Sequence, residues 1–84
     1  MKEVTLYTTI TCPYCARAKA LLQRKGVAFR EVDVTGDDAL RDKLVEMSGG
    51  MKTVPQIFIG TSHVGGYTDL AALEQAGKLD SMLA

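Results

Sequence analysis

Val4-Thr5-Leu6-Tyr7-Thr8-Thr9, then Cys12-Pro13-Tyr14-Cys15, then Ala16-Arg17-Ala18-Lys19-Ala20-Leu21-Leu22-Gln23-Arg24-Lys25: this run decides how the chain is read. The first segment is β-branched or aromatic and alternates roughly, as a strand does. The last is built of strong helix formers. Both cysteines of the chain stand at the junction, with two residues between them. A pair placed where a strand hands over to a helix has the pattern of a redox-active dithiol.

Size and composition narrow the setting. The chain has 84 residues, enough for one domain over 1–84. A domain this small buries only roughly 60–65% of its unfolded surface, so its stability margin is thin. Hydrophobic residues make up 46% and charged residues 24%, ordinary for a globular protein. Ten basic residues balance ten acidic ones, with a pI near 6.5. That balance gives no electrostatic case for nucleic acid or for an anionic membrane. Met1-Lys2-Glu3-Val4 opens without the apolar stretch of a secretory signal. No apolar run reaches the ~18–20 residues of a membrane span. A cytoplasmic address is therefore expected. Structural disulfides are rare there and redox-active ones are the usual exception. A bridge between Cys12 and Cys15 also closes a very short loop and makes a poor staple.

Working outward, the first helix is predicted over Pro13–Lys25. Proline suits the first turn, where its missing N–H costs nothing, and Gly26 is a good stop. Val27–Val34 reads as a second strand, with Phe29, Glu31 and Asp33 on one face and Arg30, Val32 and Val34 on the other. Strand, helix and strand make a βαβ unit with parallel strands. Asp37 or Asp38 can cap a second helix whose apolar stripe is Leu40, Leu44, Val45 and Met47. Ser48-Gly49-Gly50 ends it, and Met51-Lys52-Thr53-Val54-Pro55 leads into a short buried strand, Gln56-Ile57-Phe58-Ile59. Gly60-Thr61-Ser62 turns into His63-Val64-Gly65 as a hairpin. From Thr68 on, Leu70, Leu73 and Ala76 mark a third helix stopped by Gly77. Leu79, Met82 and Leu83 mark a last short one. The expected class is α/β: a thioredoxin-like fold, with a small four-stranded mixed sheet in the order βαβ-α-ββα flanked by helices.

With Cys12 at a helix N-terminus, its sulfur sits by unpaired N–H groups and the positive end of the helix dipole. Thiolate is favoured there. Cys15 lies one turn inward and is more shielded. Cys12 is therefore expected to be the nucleophile and Cys15 the resolving thiol. If the Cys12 pKa falls from about 8.5 to about 5, the thiolate fraction at pH 7 rises roughly thirtyfold. With a Brønsted slope of about 0.45, nucleophilicity falls roughly fortyfold. The two nearly cancel. The net advantage of a low pKa is that Cys12 leaves faster from a mixed disulfide.

Three motifs together resemble the glutaredoxin family, and the resemblance covers nearly the whole chain. Cys12-Pro13-Tyr14-Cys15 resembles the active site of the small dithiol, bacterial-like members. Thr53-Val54-Pro55 resembles the family's loop, whose proline is cis. Gly65-Gly66-Tyr67-Thr68-Asp69 resembles its glycine pair and the helix start that binds glutathione. The resemblance implies Cys12 and Cys15 as the redox-active centre, passing through a disulfide bond. It implies Tyr14, Thr53, Val54, Pro55, Gly66, Thr68 and Asp69 as the glutathione site. Backbone groups of Val54 would pair with the tripeptide as an added strand does. Gly66 would allow close backbone approach. Free N–H groups at Thr68 and Asp69 would take the γ-glutamyl carboxylate, and the Asp69 side chain the ammonium. By themselves, Thr68 and Asp69 read first as a helix cap, a role compatible with ligand binding.

The implied activity is glutathione-disulfide oxidoreductase, reducing glutathione mixed disulfides and protein disulfides. Glutathione is the co-substrate, with no metal. Glutathionylated or disulfide-containing proteins are the partners, and glutathione reductase acts indirectly through glutathione. The implied setting is electron transport and cell redox homeostasis in the cytoplasm, by a monomer. Thr9 stands where many members carry a basic residue, and Lys52 and Arg41 are the substitutes in this chain. Tyr67 and Thr68 stand where many relatives have a cysteine and an aspartate.

Other residues read more plainly. His63 is taken as structural or solvent-facing. Met47, Met51 and Met82 are taken as packing, and Arg17 and Lys19 as a solvated helix face. Two other functions fit the same cysteines. One is a redoxin recycled by thioredoxin reductase. The other is an iron–sulfur carrier, in which Cys12 of two chains and two glutathiones supply four thiolates. Pro13 and Cys15 count against the carrier. Zinc is weaker, because two cysteines and His63 do not close a four-ligand site.

Overall fold

The computed structural model describes residues 2–84. Four strands form one mixed sheet: β1 (Val4–Thr8), β2 (Arg30–Asp33), β3 (Gln56–Ile59) and β4 (Ser62–Gly65). Four helices accompany them: α1 (Pro13–Arg24), α2 (Asp38–Met47), α3 (Tyr67–Gln75) and α4 (Leu79–Leu83). The sheet order is β2-β1-β3-β4. β1 pairs in parallel with β2, Leu6 standing opposite Glu31. It pairs antiparallel with β3, Leu6 opposite Ile57. β3 and β4 form the hairpin, with an irregularity between Ile57 and Phe58. This is the thioredoxin-like α/β fold expected from the pattern of elements.

Strand alternation decides which face holds the core. In β1, Val4, Leu6 and Thr8 are buried while Thr5 and Tyr7 are half-buried. The inward face joins Ile57 and Ile59 to Ala18, Leu21 and Leu22 of α1, Leu70 of α3, and Leu79 and Leu83 of α4. Burying each such large aliphatic side chain contributes roughly 1.5–3 kcal/mol. The α1 stripe 18, 21, 22 has the spacing of a helix with one face on a sheet. At the C-terminal end, Lys25 Nζ bridges Glu74 of α3 at 2.8 Å and Asp80 of α4 at 2.9 Å. The Lys2 N–H donates to the Leu83 carbonyl at 2.8 Å, tying the start of the chain to α4.

Two expectations shift. β2 begins at Arg30 rather than Val27, because Val27 is still part of the α1 exit: its N–H donates to the Leu22 carbonyl at 3.0 Å. The stripe of α2 is also shallower than its spacing predicts. Asp37 caps it as expected, accepting from the Leu40 N–H at 3.0 Å. Yet only Leu44 is fully buried, and Met47 is 40% exposed. The helix is short and lies by the outer sheet face, where Met47 flanks a surface cleft with Thr5, Tyr7 and Phe58.

Candidate active site

Cys12 is the N-cap of α1, with extended backbone at φ −146° and ψ 99°. That geometry turns its sulfur onto the first helical turn, where the Cys15 N–H donates to Cys12 Sγ at 3.0 Å. Pro13 takes the first helical position, where no N–H is wanted. Cys12 and Cys15 are joined as a disulfide, with their Cα atoms 5.2 Å apart. Cys15 is only 2% exposed, whereas Cys12 is half-buried. An incoming sulfur can therefore reach Cys12 and not Cys15. The loop ahead of Cys12 is tethered, because the Ile10 N–H donates to Thr35 Oγ1 at 2.8 Å.

Forty-two residues further along, the Val54 carbonyl oxygen lies 3.7 Å from Cys12 Sγ. The Val54–Pro55 peptide bond is cis, as the resemblance implied. The loop carrying it is held from below. Gln56 is fully buried, and its Nε2 donates to the Thr53 carbonyl at 2.9 Å. His63 Nε2 lies 2.7 Å from Gln56 Oε1, so His63 is structural, although its residue is exposed. From the other side, the Arg41 guanidinium donates to the Lys52 carbonyl at 3.0 Å. Arg41 thus ties α2 to this loop.

The third segment meets the same place. Asp69, in the first turn of α3, accepts from the Gly66 N–H at 3.0 Å, so it does cap the helix. Gly65 has φ +119°, and a Cβ there would lie 2.9 Å from Asp69 Cγ. Gly66 has φ −93°, and a Cβ there would meet only the Pro55 carbonyl at 3.6 Å, an ordinary contact. Within the fold, glycine is therefore required at Gly65 rather than Gly66.

A cavity of about 300 Å³ lies where the three segments converge. Its lining holds all of Tyr14, Thr53, Val54, Pro55, Gly66, Thr68 and Asp69, together with Met51 and Tyr67. Ligand pockets begin at about this size. Met51 and Tyr67 are the two lining residues that sequence reasoning did not assign. Tyr67 was legible as a departure at a position next to the glycine pair. Met51 gave no signal beyond an apolar side chain in a loop. The Tyr67 ring lies 6.3 Å from that of Tyr14, tilted by 31°. Arg17 Cζ sits 5.1 Å from the Tyr14 ring centre, so Arg17 is more than a solvated helix residue. Neither Lys52 nor Arg41 lines the cavity.

Charge around the helix is also organised. Lys19 Nζ and the buried Thr8 hydroxyl converge on Glu31 Oε2, at 3.0 and 2.7 Å. The Thr8 hydroxyl foremost, and Lys19 after it, hold the Glu31 carboxyl below the usual carboxylate range. Lys19 is thereby paired as well.

A half-buried N-cap cysteine bonded to a fully buried partner one turn on, beside a cis-proline loop, defines a thiol oxidoreductase of the thioredoxin fold. The chain belongs to the glutaredoxin family: the family model "Glutaredoxin" matches residues 4–64. The glutaredoxin of Pseudomonas aeruginosa is 57% identical over 84 residues, covering 100% of this chain and 99% of that one. Glutaredoxin 3 of Escherichia coli is 52% identical over 83 residues, covering 99% of each. The solution structure of the Brucella melitensis glutaredoxin superposes with a TM-score of 0.87 at 58% identity, over 99% of this chain and 89% of that one. A buckwheat glutaredoxin–glutathione complex superposes with a TM-score of 0.89 at 30% identity, over 95% and 74%. No helix among the described residues is long and apolar enough to cross a membrane.

Proposed function

We propose that this chain is a glutathione-dependent thiol–disulfide oxidoreductase, acting as one domain and as a monomer in the cytoplasm. The observation that carries the reading is the convergence at Cys12. Its sulfur lies 3.7 Å from the Val54 carbonyl, and Val54 lines the cavity that also holds Gly66, Thr68 and Asp69. That combination suits a short peptide thiol lying along Val54 with its charged end toward α3. Backbone groups of Val54 are available for pairing as in an added strand. The first turn of α3 offers N–H groups to a carboxylate. Asp69 uses one oxygen on Gly66, and its second oxygen can accept from an ammonium.

The reaction then follows thiol–disulfide exchange. The Cys12 thiolate attacks the glutathione sulfur of a protein mixed disulfide. The old S–S bond breaks, the target leaves as a thiolate and takes up a proton, and Cys12 keeps the glutathione. A second glutathione thiolate attacks that sulfur, releasing glutathione disulfide and restoring Cys12. With a protein disulfide, Cys15 attacks the mixed disulfide on Cys12, and the target leaves with both its sulfurs reduced. The resulting Cys12–Cys15 disulfide is the state of the structure, and two glutathiones return it to the dithiol. Donation from the Cys15 N–H to Cys12 Sγ stabilises charge on that sulfur, which helps it leave.

A coupled assay tests the reading. Turnover of a glutathionylated peptide is followed with glutathione plus glutathione reductase, and separately with thioredoxin reductase alone. Turnover in the first system and little in the second is the expected result. The opposite pattern would make the chain a redoxin of the thioredoxin-reductase kind.

A further inference from the structure

Tyr14 projects from the first turn of α1 and is 54% exposed. An aromatic ring so exposed at a helix start has several rotamers open to it unless neighbours restrict it. Two do. Arg17 is three residues on, and therefore on the same face of α1. Its guanidinium carbon lies 5.1 Å from the Tyr14 ring centre, within cation–π range. The Tyr67 ring lies 6.3 Å away on the other element, within the range of interacting aromatic pairs. Tyr67 itself is anchored, because it is half-buried and packs against the main core. The three side chains thus run from guanidinium to an exposed ring to an anchored ring. Tyr14 and Tyr67 both line the cavity, with Thr53 and Val54 also in the lining.

We propose that Tyr67 and Arg17 are positioning residues that hold Tyr14 as a wall of the cavity beside Cys12, and that this wall sets how tightly the thiol half carried on Cys12 is held. The idea rests on the glutathione reading for the identity of that half. The wall itself does not depend on it. A ring that is placed before the substrate arrives lowers the ordering cost of binding. The effect belongs to the grip on substrate rather than to the exchange step, because both residues act through the Tyr14 ring.

The test uses Tyr67→Ala, Tyr67→Phe, Arg17→Leu and the double variant of Arg17→Leu with Tyr67→Ala. First, ring resonances of Tyr14 are followed by NMR in the ligand-free protein. Tyr67→Ala and Arg17→Leu should each shift them. Unmoved Tyr14 resonances in both would overturn the wall whatever the substrate is. Second, KM and kcat are measured with a glutathionylated peptide. Tyr67→Ala should raise KM roughly three- to tenfold, the scale of one lost aromatic pair, with the loss falling on KM rather than kcat. Tyr67→Phe keeps the ring and should recover most of that loss. Arg17→Leu should raise KM by about two- to fivefold, and should add little once Tyr67 is gone, because both act on one ring. A fall in kcat at constant KM, or full additivity of the two variants, would contradict the proposal. If the unaltered protein fails to turn over the glutathionylated peptide, the glutathione reading fails, and the NMR arm still decides the wall.

Discussion

Gln56 holds Thr53. The Gln56 amide, fully buried, donates to the Thr53 carbonyl at 2.9 Å, while its oxygen faces His63 Nε2 at 2.7 Å. Thr53 lines the cavity beside Cys12, so the buried amide is a brace under the site. Gln56→Leu would strip partners from both the Thr53 carbonyl and His63. A loss of about 1–3 kcal/mol in folding stability is expected, with a raised KM for glutathionylated substrate. His63→Ala removes the exposed end of the chain and should cost less, about 0.5–1.5 kcal/mol. Urea unfolding of the two variants checks the order. A costlier His63 change would mean that Gln56 is not the brace.

Gly65 and Asp69 are matched in a different way. At φ +119° Gly65 has no room for a Cβ, which would run into the Asp69 carboxylate. Gly65→Ala is expected to cost roughly 1–3 kcal/mol and to break the Gly66–Asp69 cap. In an Asp69→Ala background the same change meets no carboxylate, and the backbone strain and a tight 3.2 Å contact with the Cβ at position 69 remain. The cost of Gly65→Ala should therefore be smaller there. Equal costs in the two backgrounds would contradict the clash.

Glu31 provides a pH signature. Its carboxyl is held low by the Thr8 hydroxyl first and by Lys19 second. A depressed folded pKa stabilises the protein above the ordinary value of 4.5, and that contribution is lost as pH falls through the lower folded value. Both members of the Lys19–Glu31 pair keep about a third of their side-chain surface in water, 32% and 37%. The ion pair itself therefore contributes no more than about 1 kcal/mol. Urea midpoints of the natural protein and Glu31→Gln should differ at about pH 7 and draw together as pH falls through the lowered folded value. A gap that persists or widens in acid would count against this pairing.

Much of the fold was legible because local signals agreed with it. Cys12 and Pro13 begin α1, Asp37 caps α2, and the alternation of β1 marks its inward face. The site was legible for a different reason. Cys12-Pro13-Tyr14-Cys15, Thr53-Val54-Pro55 and Gly65–Asp69 are each short and local, and the family resemblance supplied their convergence. What stayed hidden depends on three-dimensional contacts that no local sequence pattern reports. Gln56 reads as one more residue of a strand until His63 and Thr53 are seen beside it. Lys19 reads as part of a solvated face because Glu31 comes to it through tertiary packing; Arg17 differs, since its partner Tyr14 stands only three residues away on the same helix. The need for glycine at Gly65 stayed hidden because two adjacent glycines look alike until the φ of each is known. Met47 was expected inside because helical spacing shows which face turns inward and not how closely that face is covered.

The central claim is a division of labour between an accessible Cys12 and a shielded Cys15, at a site for glutathione. The most direct measurement uses Cys15→Ser with two substrates, a glutathionylated peptide and a protein disulfide, under glutathione recycling. The variant should keep deglutathionylation, and should be caught with one glutathione on Cys12 when it is mixed with glutathione disulfide. It should lose most protein-disulfide reduction, because nothing resolves the intermediate from within. Equal loss of both activities, with no glutathione held on Cys12, would contradict the account.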